Sequence, residues 1–472
     1  MKKIRLIFST ITCFILTQQV VAQSIPLQLD TLLNNTLDSM YTVMNIKSLS
    51  AAIQLPDTNV WARATGISSV SPAVNVTTDD VYEIGSVTKT MTAACVLQLA
   101  DQGMINLDDS LHEWLDTIQY INPDITLRQL LRHQSGIYDV LNNPACQPAL
   151  GADPDSIWDM QNLISVFINP PLFPAGTSWS YSNTNYFLLG MIIEAVTGNP
   201  YYVELRNRFF TPLGLSTIAI PSFELQNSPV AHAWLDITGD GITDDAHFFF
   251  YNWVSLNSTA GSAGGYYSTP SDIARWMRSY MREDLMSAAI MAEAKTTVFA
   301  PGTPGNAYGL GLMTKTFPGF LAYGHGGDLA YSASSWYFPG KDISITVHGN
   351  DADRNSWTLL PVVTALLRTY TQWQSSVTAV AASEESPLQI NAYPNPFKDH
   401  INLQLNGNQS IQNAEIVLTN SIGQRITSSI FQNLQQGVNE LAFQNLENFS
   451  SGFYLLSVLV DGRIATTTKV VK

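Results

Sequence analysis

The sequence predicts an α+β protein in which a large mixed domain is followed by a small β-sandwich. In the first part, residues 87–102 form an uninterrupted apolar run that stops at Gly103, which is typical of a buried helix. Strand-rich stretches lie at 334–338 and 343–348. From about residue 388, apolar and polar residues alternate with a period of two, which indicates short strands. With 472 residues, 45% of them hydrophobic, the chain suits two or three domains and is not globally disordered.

The charge balance excludes whole classes of partner. The 23 Lys and Arg residues face 38 Asp and Glu residues, which gives a net charge of −15, and charged residues make up only 13% of the chain. An acidic protein is a poor ligand for phosphate backbones or anionic membranes. We therefore expect no nucleic-acid partner, and a surface rich in uncharged polar residues.

The N-terminus has the pattern of a secretory signal at residues 1–22. Basic Lys2, Lys3 and Arg5 precede an apolar stretch at 6–16, and Ala22 ends a small-residue cleavage site. The alternative is a membrane anchor, but the apolar run is shorter than the ~20 residues that a span needs. No later stretch reaches that length, so we expect export and no transmembrane span in the mature form.

Cysteine usage is sparse. Cys13 leaves with the signal, so Cys95 and Cys146 remain, which is neither a disulfide framework nor a zinc spacing. One bridge between them is possible after export. Because Cys95 lies in the apolar helical run, we interpret it as a plain buried thiol.

The chain contains one Ser-x-x-Lys pattern, formed by Ser86 and Lys89. Ser86 stands at the N-terminus of the predicted helix, near free backbone amides and the positive end of the helix dipole. A lysine three residues later lies one turn away on the same face, within reach of the hydroxyl. A desolvated lysine at that point loses its proton more readily and activates a nucleophile.

Two further motifs lie downstream. Tyr181-Ser182-Asn183 precedes a predicted helix at 186–196, and Asn183 could hold a substrate amide with both halves of its side chain. In isolation, Tyr-x-Asn is a common loop tripeptide. At His325-Gly326-Gly327, glycines would let a ligand lie against a strand edge whose amides bind an oxyanion.

In order and spacing, these three motifs resemble the serine β-lactamase and DD-peptidase superfamily, in its branch of class C β-lactamases, D-alanyl-D-alanine carboxypeptidases and esterases. The resemblance covers about residues 30–372 and has supporting stretches at 126–136, 264–269 and 308–312. It implies a β-lactamase/transpeptidase-like fold, with a five-stranded antiparallel sheet, flanking helices and a helical subdomain inserted after Lys89. It implies neither a metal nor a cofactor.

The resemblance also implies a role for each motif residue. Ser86 would be the acylated nucleophile and Lys89 its activating neighbour. Tyr181 would be the general base for acylation and the proton donor to the leaving group. Asn183 would bind the substrate amide.

At the third motif, His325, Gly326 and Gly327 would bind substrate, and the backbone amides of Ser86 and Asp328 would form the oxyanion hole. Many members carry lysine in Lys-Thr-Gly where this chain has His325. Histidine is only partly charged near neutral pH, which weakens the case for a dedicated β-lactamase. We expect a D-alanyl-D-alanine carboxypeptidase-like peptidase or an esterase that acts on a peptide or small molecule. The alternatives are a β-lactamase, or a non-catalytic receptor or adhesin that keeps the fold.

The tail predicts a second domain. Residues 374–387 are small and polar and are interpreted as a linker, so the hydrolase domain would span 23–373. Residues 388–472 resemble the C-terminal sorting domain of type IX secretion cargo, on the motifs at 393–397, 420–424, 451–454 and 469–472. The resemblance implies contact with that secretion machinery and passage through the periplasm and the outer membrane, with a secreted or surface location. The alternative is an adhesive or carbohydrate-binding sandwich.

Weaker signals remain. Residues 236–245 contain acids at positions 1, 5 and 9 of a calcium-loop pattern, but His247 stands where the bidentate acid belongs. A solvated acidic loop is the preferred interpretation. His133, His232 and His348 are interpreted as structural.

Overall fold

The computed structural model describes residues 24–56, 59–247, 254–384, 388–420, 425–460 and 463–472. The predicted signal at 1–22 lies outside these residues. The chain divides into two compact units, residues 1–367 and 368–472. In the described ranges, no helix combines the length and apolarity that a membrane crossing requires.

Most strands of the first unit belong to one large sheet, and the others form two two-stranded sheets. They are β1 (Ser48–Gln54), β2 (Val60–Val70), β3 (Ala73–Asn75), β4 (Tyr82–Glu83), β5 (Trp234–Leu235), β6 (Asp244–Asp245), β7 (Tyr267–Ser268), β8 (Val298–Phe299), β9 (Ala307–Tyr308), β10 (Met313–Phe317), β11 (Phe320–Asp328), β12 (Ser332–Phe338) and β13 (Ile343–Gly349). The large sheet has the order β3-β2-β1-β13-β12-β11-β10-β9-β8, and its pairings are antiparallel. The predicted antiparallel sheet is confirmed, but it has nine strands rather than five, because short edge strands extend it.

The helices form a second layer and a separate helical region. They are α1 (Leu27–Met44), α2 (Thr88–Asp101), α3 (Leu127–Leu131), α4 (Cys146–Ala152), α5 (Met160–Phe167), α6 (Asn183–Thr197), α7 (Tyr201–Leu205), α8 (Val254–Gly264), α9 (Pro270–Met281), α10 (Ala288–Lys295) and α11 (Leu360–Glu384). Helix α9 packs across β1, β12 and β13, and α1 packs on β1 and β2. Helices α2, α3, α6 and α8 pack together in the region inserted between α2 and the later strands, as the resemblance implies.

Helix α2 is buried along most of its length, including Lys89 at 0% exposure. The apolar run that predicts this helix lacks glycine and proline, so nothing interrupts its hydrogen bonding before Gly103. Leu97 of α2 and Leu188 of α6 are fully buried in the same cluster. A rigid, desolvated helix therefore carries Lys89.

The second unit forms a β-sandwich. Its strands are β14 (Leu388–Tyr393), β15 (Ile401–Gly407), β16 (Ile411–Asn420), β17 (Arg425–Leu434), β18 (Gly437–Phe443), β19 (Phe453–Val460) and β20 (Arg463–Val471). A three-stranded sheet, β14-β15-β18, and a four-stranded sheet, β17-β16-β19-β20, share one core. Leu403 from the first sheet and Ile416 and Leu456 from the second are fully buried in that core. The predicted sandwich is confirmed.

The segment predicted as a linker is partly helical. Helix α11 continues to Glu384, whereas the sequence predicts that the helix ends near Trp373. The physical reason is composition, since residues 362–386 contain neither glycine nor proline and the alanines at 379–382 favour helix. Residues 385–387 lie outside the described residues.

Candidate active site

The predicted nucleophile sits on a tight turn. Strand β4 leads into a 3₁₀ turn, Gly85–Val87, which opens α2. Gly85 has φ +48, and a Cβ there would lie 2.6 Å from the amide nitrogen of Asp328. Only glycine fits such a close backbone approach, so Gly85 positions Ser86 at the end of β11.

Lys89 is the centre of the site. Its Nζ donates to the Ser86 Oγ at 3.0 Å, the Asn183 Oδ1 at 2.7 Å and the Ala263 carbonyl oxygen at 2.8 Å. These three bonds use all three hydrogens of the ammonium group. Burial lowers the pKa of Lys89 to about 7, and the nearby Asp139 carboxylate opposes this shift. The predicted contact between Lys89 and Ser86 is present.

Tyr181 and Asn183 lie on either side of Lys89. The Lys89 Nζ is 4.8 Å from the centre of the Tyr181 ring. Burial raises the pKa of the Tyr181 hydroxyl well above its usual range, and a hydrogen bond with Ser86 opposes the shift. The Asn183 Nδ2 donates to the Asp139 Oδ2 at 2.9 Å. Both halves of Asn183 are therefore engaged by the protein, which leaves one N–H and one lone pair for a ligand.

His325 is completely buried, at 0% exposure. Its Nδ1 lies 2.6 Å from the carbonyl oxygen of Gly326, and its Nε2 lies 2.9 Å from the Tyr308 hydroxyl. Because a carbonyl oxygen only accepts, we assign the proton to Nδ1, so that Nε2 accepts from Tyr308. Burial lowers the pKa of His325 to about 3. The sequence-based expectation of a partial charge is therefore wrong: the imidazole is neutral, because it is desolvated.

Gly326 and Gly327 bring two backbones together. A Cβ on Gly327 would lie 1.9 Å from the Ile84 carbonyl oxygen and 2.9 Å from the Ser86 nitrogen. A Cβ on Gly326 would lie 2.4 Å from the Ser356 Oγ. That these glycines bind a substrate stays a prediction; in the structure Gly327 admits the turn of Ser86, and Gly326 admits the side chain of Ser356. Because Gly327 has no side chain, the backbone of β11 lies directly against the turn that carries Ser86.

Asp328 ends β11 and is exposed. Its Oδ1 accepts from the backbone N–H of Ser356, and its Oδ2 accepts from the Ser356 hydroxyl at 2.8 Å. Ser356 is fully buried at the start of a 3₁₀ turn, Ser356–Leu359. The carboxylate of Asp328 is therefore held in one orientation.

Sequence reasoning missed Asp139 and Tyr308. Asp139 is 6% exposed and holds Asn183, and Tyr308 holds His325. The only available signal was their position in or next to the supporting stretches at 126–136 and 308–312. His133, interpreted as structural, is fully buried, and its ring centre lies 4.3 Å from that of Tyr181.

The acidic loop at 236–245, which has part of a calcium-loop pattern, is closed by its own hydrogen bonds. Asp236 accepts hydrogen bonds from the amides of Gly239, Asp240 and Gly241, so its carboxylate closes its own loop. In the part of the chain that the structure describes, no three His, Cys, Asp or Glu side chains group as metal ligands. Cys95 and Cys146 are both buried and free, which confirms the interpretation of a plain thiol.

Comparison with known proteins gives two family matches. The Beta-lactamase family matches residues 36–362, and the Secretion system C-terminal sorting domain matches residues 391–472. Both matches agree with the resemblances drawn from the motifs.

Individual relatives agree with the first match. Penicillin-binding protein 4 of Amycolatopsis lactamdurans is 27% identical over 308 residues, which cover 61% of this chain and 77% of the relative. The D-alanyl-D-alanine-carboxypeptidase/endopeptidase AmpH of Escherichia coli (strain K12) is 28% identical over 254 residues, 50% of this chain and 60% of the relative. The crystal structure of a D-stereospecific amidohydrolase from Streptomyces sp. superposes with a TM-score of 0.59 and 30% identity, covering 68% of this chain and 94% of that chain.

Proposed function

Because the chain belongs to the β-lactamase family, we propose that it is a serine hydrolase that forms an acyl-enzyme on Ser86 with D-configured peptides or amides. The observation that carries this proposal is the 3.0 Å contact between the Lys89 Nζ and the Ser86 Oγ in a desolvated site. The D-alanyl-D-alanine carboxypeptidase and the D-stereospecific amidohydrolase among its relatives support the substrate class. Hydrolysis of simple esters is a second candidate, since it uses the same nucleophile.

In this proposal, Lys89 is the base, a role that the resemblance gives to Tyr181, because burial raises the pKa of Tyr181 and lowers that of Lys89. With a pKa lowered to about 7, a large fraction of Lys89 is a neutral amine near neutral pH. The proton of the Ser86 hydroxyl moves to Nζ as Oγ forms its bond to the substrate carbonyl carbon. The carbonyl oxygen gains the negative charge and faces the amides of Ser86 and Asp328.

Tyr181 then transfers a proton rather than acting as a phenolate. Since burial raises the pKa of Tyr181, its neutral hydroxyl is the stable form. The ring of Tyr181 contacts the Lys89 Nζ, and its hydroxyl is hydrogen-bonded with Ser86. It donates its proton to the leaving amine and is reprotonated from Lys89. The carbon–nitrogen bond breaks and leaves an ester on Ser86. Water hydrolyses this ester by the same proton path in reverse.

The neutral His325 bears on the remaining alternatives. A β-lactamase and a carboxypeptidase both bind a substrate carboxylate. In this chain His325 stands where many family members carry lysine, and it is neutral, so it supplies no charge for that carboxylate. A non-catalytic receptor would have no use for a lysine desolvated against a serine, which costs free energy. We therefore place cleavage of D-configured peptides or amides ahead of β-lactam hydrolysis and ahead of a receptor function.

The second unit indicates export. The match to the sorting domain of type IX cargo indicates secretion or attachment at the cell surface. We propose that residues 388–472 address the chain to that machinery, that 374–387 connect the two domains, and that 23–373 form the hydrolase.

The decisive test is the Ser86→Ala variant. We expect it to lose p-nitrophenyl ester hydrolysis by at least about 10⁴-fold and to lose covalent labelling by a fluorophosphonate. If Ser86→Ala hydrolysed the ester at the wild-type rate, Ser86 would be excluded as the nucleophile. A panel of D-alanyl-D-alanine peptides, p-nitrophenyl esters and nitrocefin then separates peptidase, esterase and β-lactamase activity.

A further inference from the structure

His133 lies just after α3, beside the loop that carries Tyr181. Its carbonyl oxygen accepts a hydrogen bond from the Ser180 N–H at 3.1 Å. Its imidazole Nδ1 accepts from the Ser182 N–H at 3.2 Å, two residues further along the loop. The main chain and the side chain of one residue therefore hold the two amides that flank Tyr181.

The imidazole ring of His133 also packs against the ring of Tyr181. The two ring centres lie 4.3 Å apart, with their planes tilted by 32°. The rings of Tyr308 and Tyr186 lie 4.8 Å and 5.3 Å from the same imidazole, which is fully buried. A shift of the Tyr181 ring towards His133 would therefore displace a closely packed aromatic cluster.

The backbone of His133 adopts a left-handed conformation, with φ +59. Residues other than glycine adopt this region rarely, although asparagine, aspartate and histidine adopt it more often than the rest. Such a conformation persists where surrounding contacts fix it. Here it lets the carbonyl oxygen and the Nδ1 atom of His133 bond to the same loop.

The bond to Ser182 also defines the protonation state of His133. A backbone N–H can only donate, so Nδ1 carries no proton and we assign the ring proton to Nε2. Burial, together with the charge of Lys89, holds the pKa of His133 well below its usual range. The imidazole is therefore neutral, and its acceptor is present, over the pH range in which Lys89 loses its proton.

We propose that His133 is a positioning residue for proton transfer, whose Nδ1 holds the Ser182 amide and thereby places the Tyr181 hydroxyl where it donates a proton to the leaving group. The assignment rests on the proposed acyl-enzyme on Ser86. As the bond to the leaving group breaks, its electron pair takes the proton of Tyr181, and Tyr181 is reprotonated from Lys89. His133 exchanges no proton in this step and acts through Tyr181.

A role in this proton transfer has a kinetic signature. p-Nitrophenolate leaves as a stable anion, an unsubstituted phenolate leaves less readily, and an amine leaves only after it gains a proton. A misplaced Tyr181 hydroxyl should therefore slow the substrates with basic leaving groups more than the p-nitrophenyl ester. A general loss of folded protein would slow all of them by the same factor.

The test compares the p-nitrophenyl ester, the phenyl ester and the anilide of one D-alanine acyl group on the full mature chain. His133→Gly and His133→Asn both tolerate the left-handed backbone, but only asparagine keeps an acceptor at the place of Nδ1. We expect His133→Gly to lower the kcat/KM ratio of anilide to p-nitrophenyl ester at least about tenfold, with the phenyl ester between them. His133→Asn should keep the ratio within about threefold of the wild type.

Two further variants complete the comparison. His133→Phe keeps a buried ring without an acceptor and should show the same fall as His133→Gly, so it replaces that variant if glycine prevents folding. His348→Asn makes the matched change at another fully buried histidine, on β13, and should leave the ratio unchanged. Because each ratio is taken within one protein, a partial loss of folded variant cancels.

An unchanged ratio in the folded His133→Gly or His133→Phe variant would overturn the assignment, and so would an equal fall in His133→Asn and His133→Gly. If the wild type hydrolyses the esters alone, the ratio of phenyl to p-nitrophenyl ester decides in the same way. Fluorophosphonate labelling of Ser86 separates the two levels. A labelled, active wild type whose variants keep its leaving-group dependence overturns the role of His133 alone, whereas a wild type without labelling and turnover overturns the proposed function as well.

Discussion

Lys89 decides the pH range in which the site works. Its neutral amine is the proposed base, and burial lowers its pKa to about 7. Protonation below that value removes the base, so kcat/KM should rise with pH through about 7 and level off above it. A pH–rate profile of p-nitrophenyl ester hydrolysis checks this.

Asp139 supplies a matched test of that assignment. Its carboxylate raises the pKa of Lys89 against the larger effect of burial. Removing the charge in Asp139→Asn should therefore shift the acidic limb of the profile to lower pH, by about one unit. The control is Asp116→Asn, which removes an exposed acid outside the site and should leave the limb where it is. An acidic limb that does not move in Asp139→Asn would assign the titration to another group.

Separation in the sequence predicts some contacts between individual site residues but not others. Ser86 and Lys89 are one helical turn apart, so their contact follows from helix geometry. The contact between Asn183 and Asp139 joins residues 44 positions apart, and no local pattern encodes it. The neutral state of His325 depends on its burial against Tyr308, which also needs the folded structure. The sequence therefore predicts the local contact between Ser86 and Lys89, but neither the contacts between distant residues nor the charge state of His325.

Strand β11 acts as the rigid partner of the Ser86 turn. A Cβ on Gly327 would lie 1.9 Å from the Ile84 carbonyl oxygen, and neither backbone can yield without moving the amide of Ser86. We expect Gly327→Ala to lower kcat/KM at least about 100-fold and to destabilise the fold by about 1–3 kcal/mol. Assays of activity and of the denaturation midpoint measure the two effects.

Gly340→Ala, in the turn between β12 and β13, is the control, because its Cβ would lie 3.8 Å from the Phe320 ring, an ordinary contact. It should retain activity. Wild-type turnover by Gly327→Ala would show that β11 does not need to approach the turn of Ser86.

Element boundaries are the weaker part of the sequence prediction. Helix α11 exceeds its predicted end because local propensity continues through a segment whose small polar residues resemble a linker.

Across the whole molecule, catalysis and sorting occupy separate cores. Ser86, Lys89, Asn183 and Asp328 all lie in the first unit, whereas the sandwich buries its own cluster around Leu403. A mature chain that ends at Glu384 should therefore keep kcat/KM within about twofold and lose export through the type IX machinery. A chain that ends at Leu359 should fail to fold, because it removes Val362, Val363 and Leu366, which are fully buried. Activity assays and thermal scans of both truncations measure this. Loss of activity in the chain that ends at Glu384 would mean that the sandwich is needed for the hydrolase site.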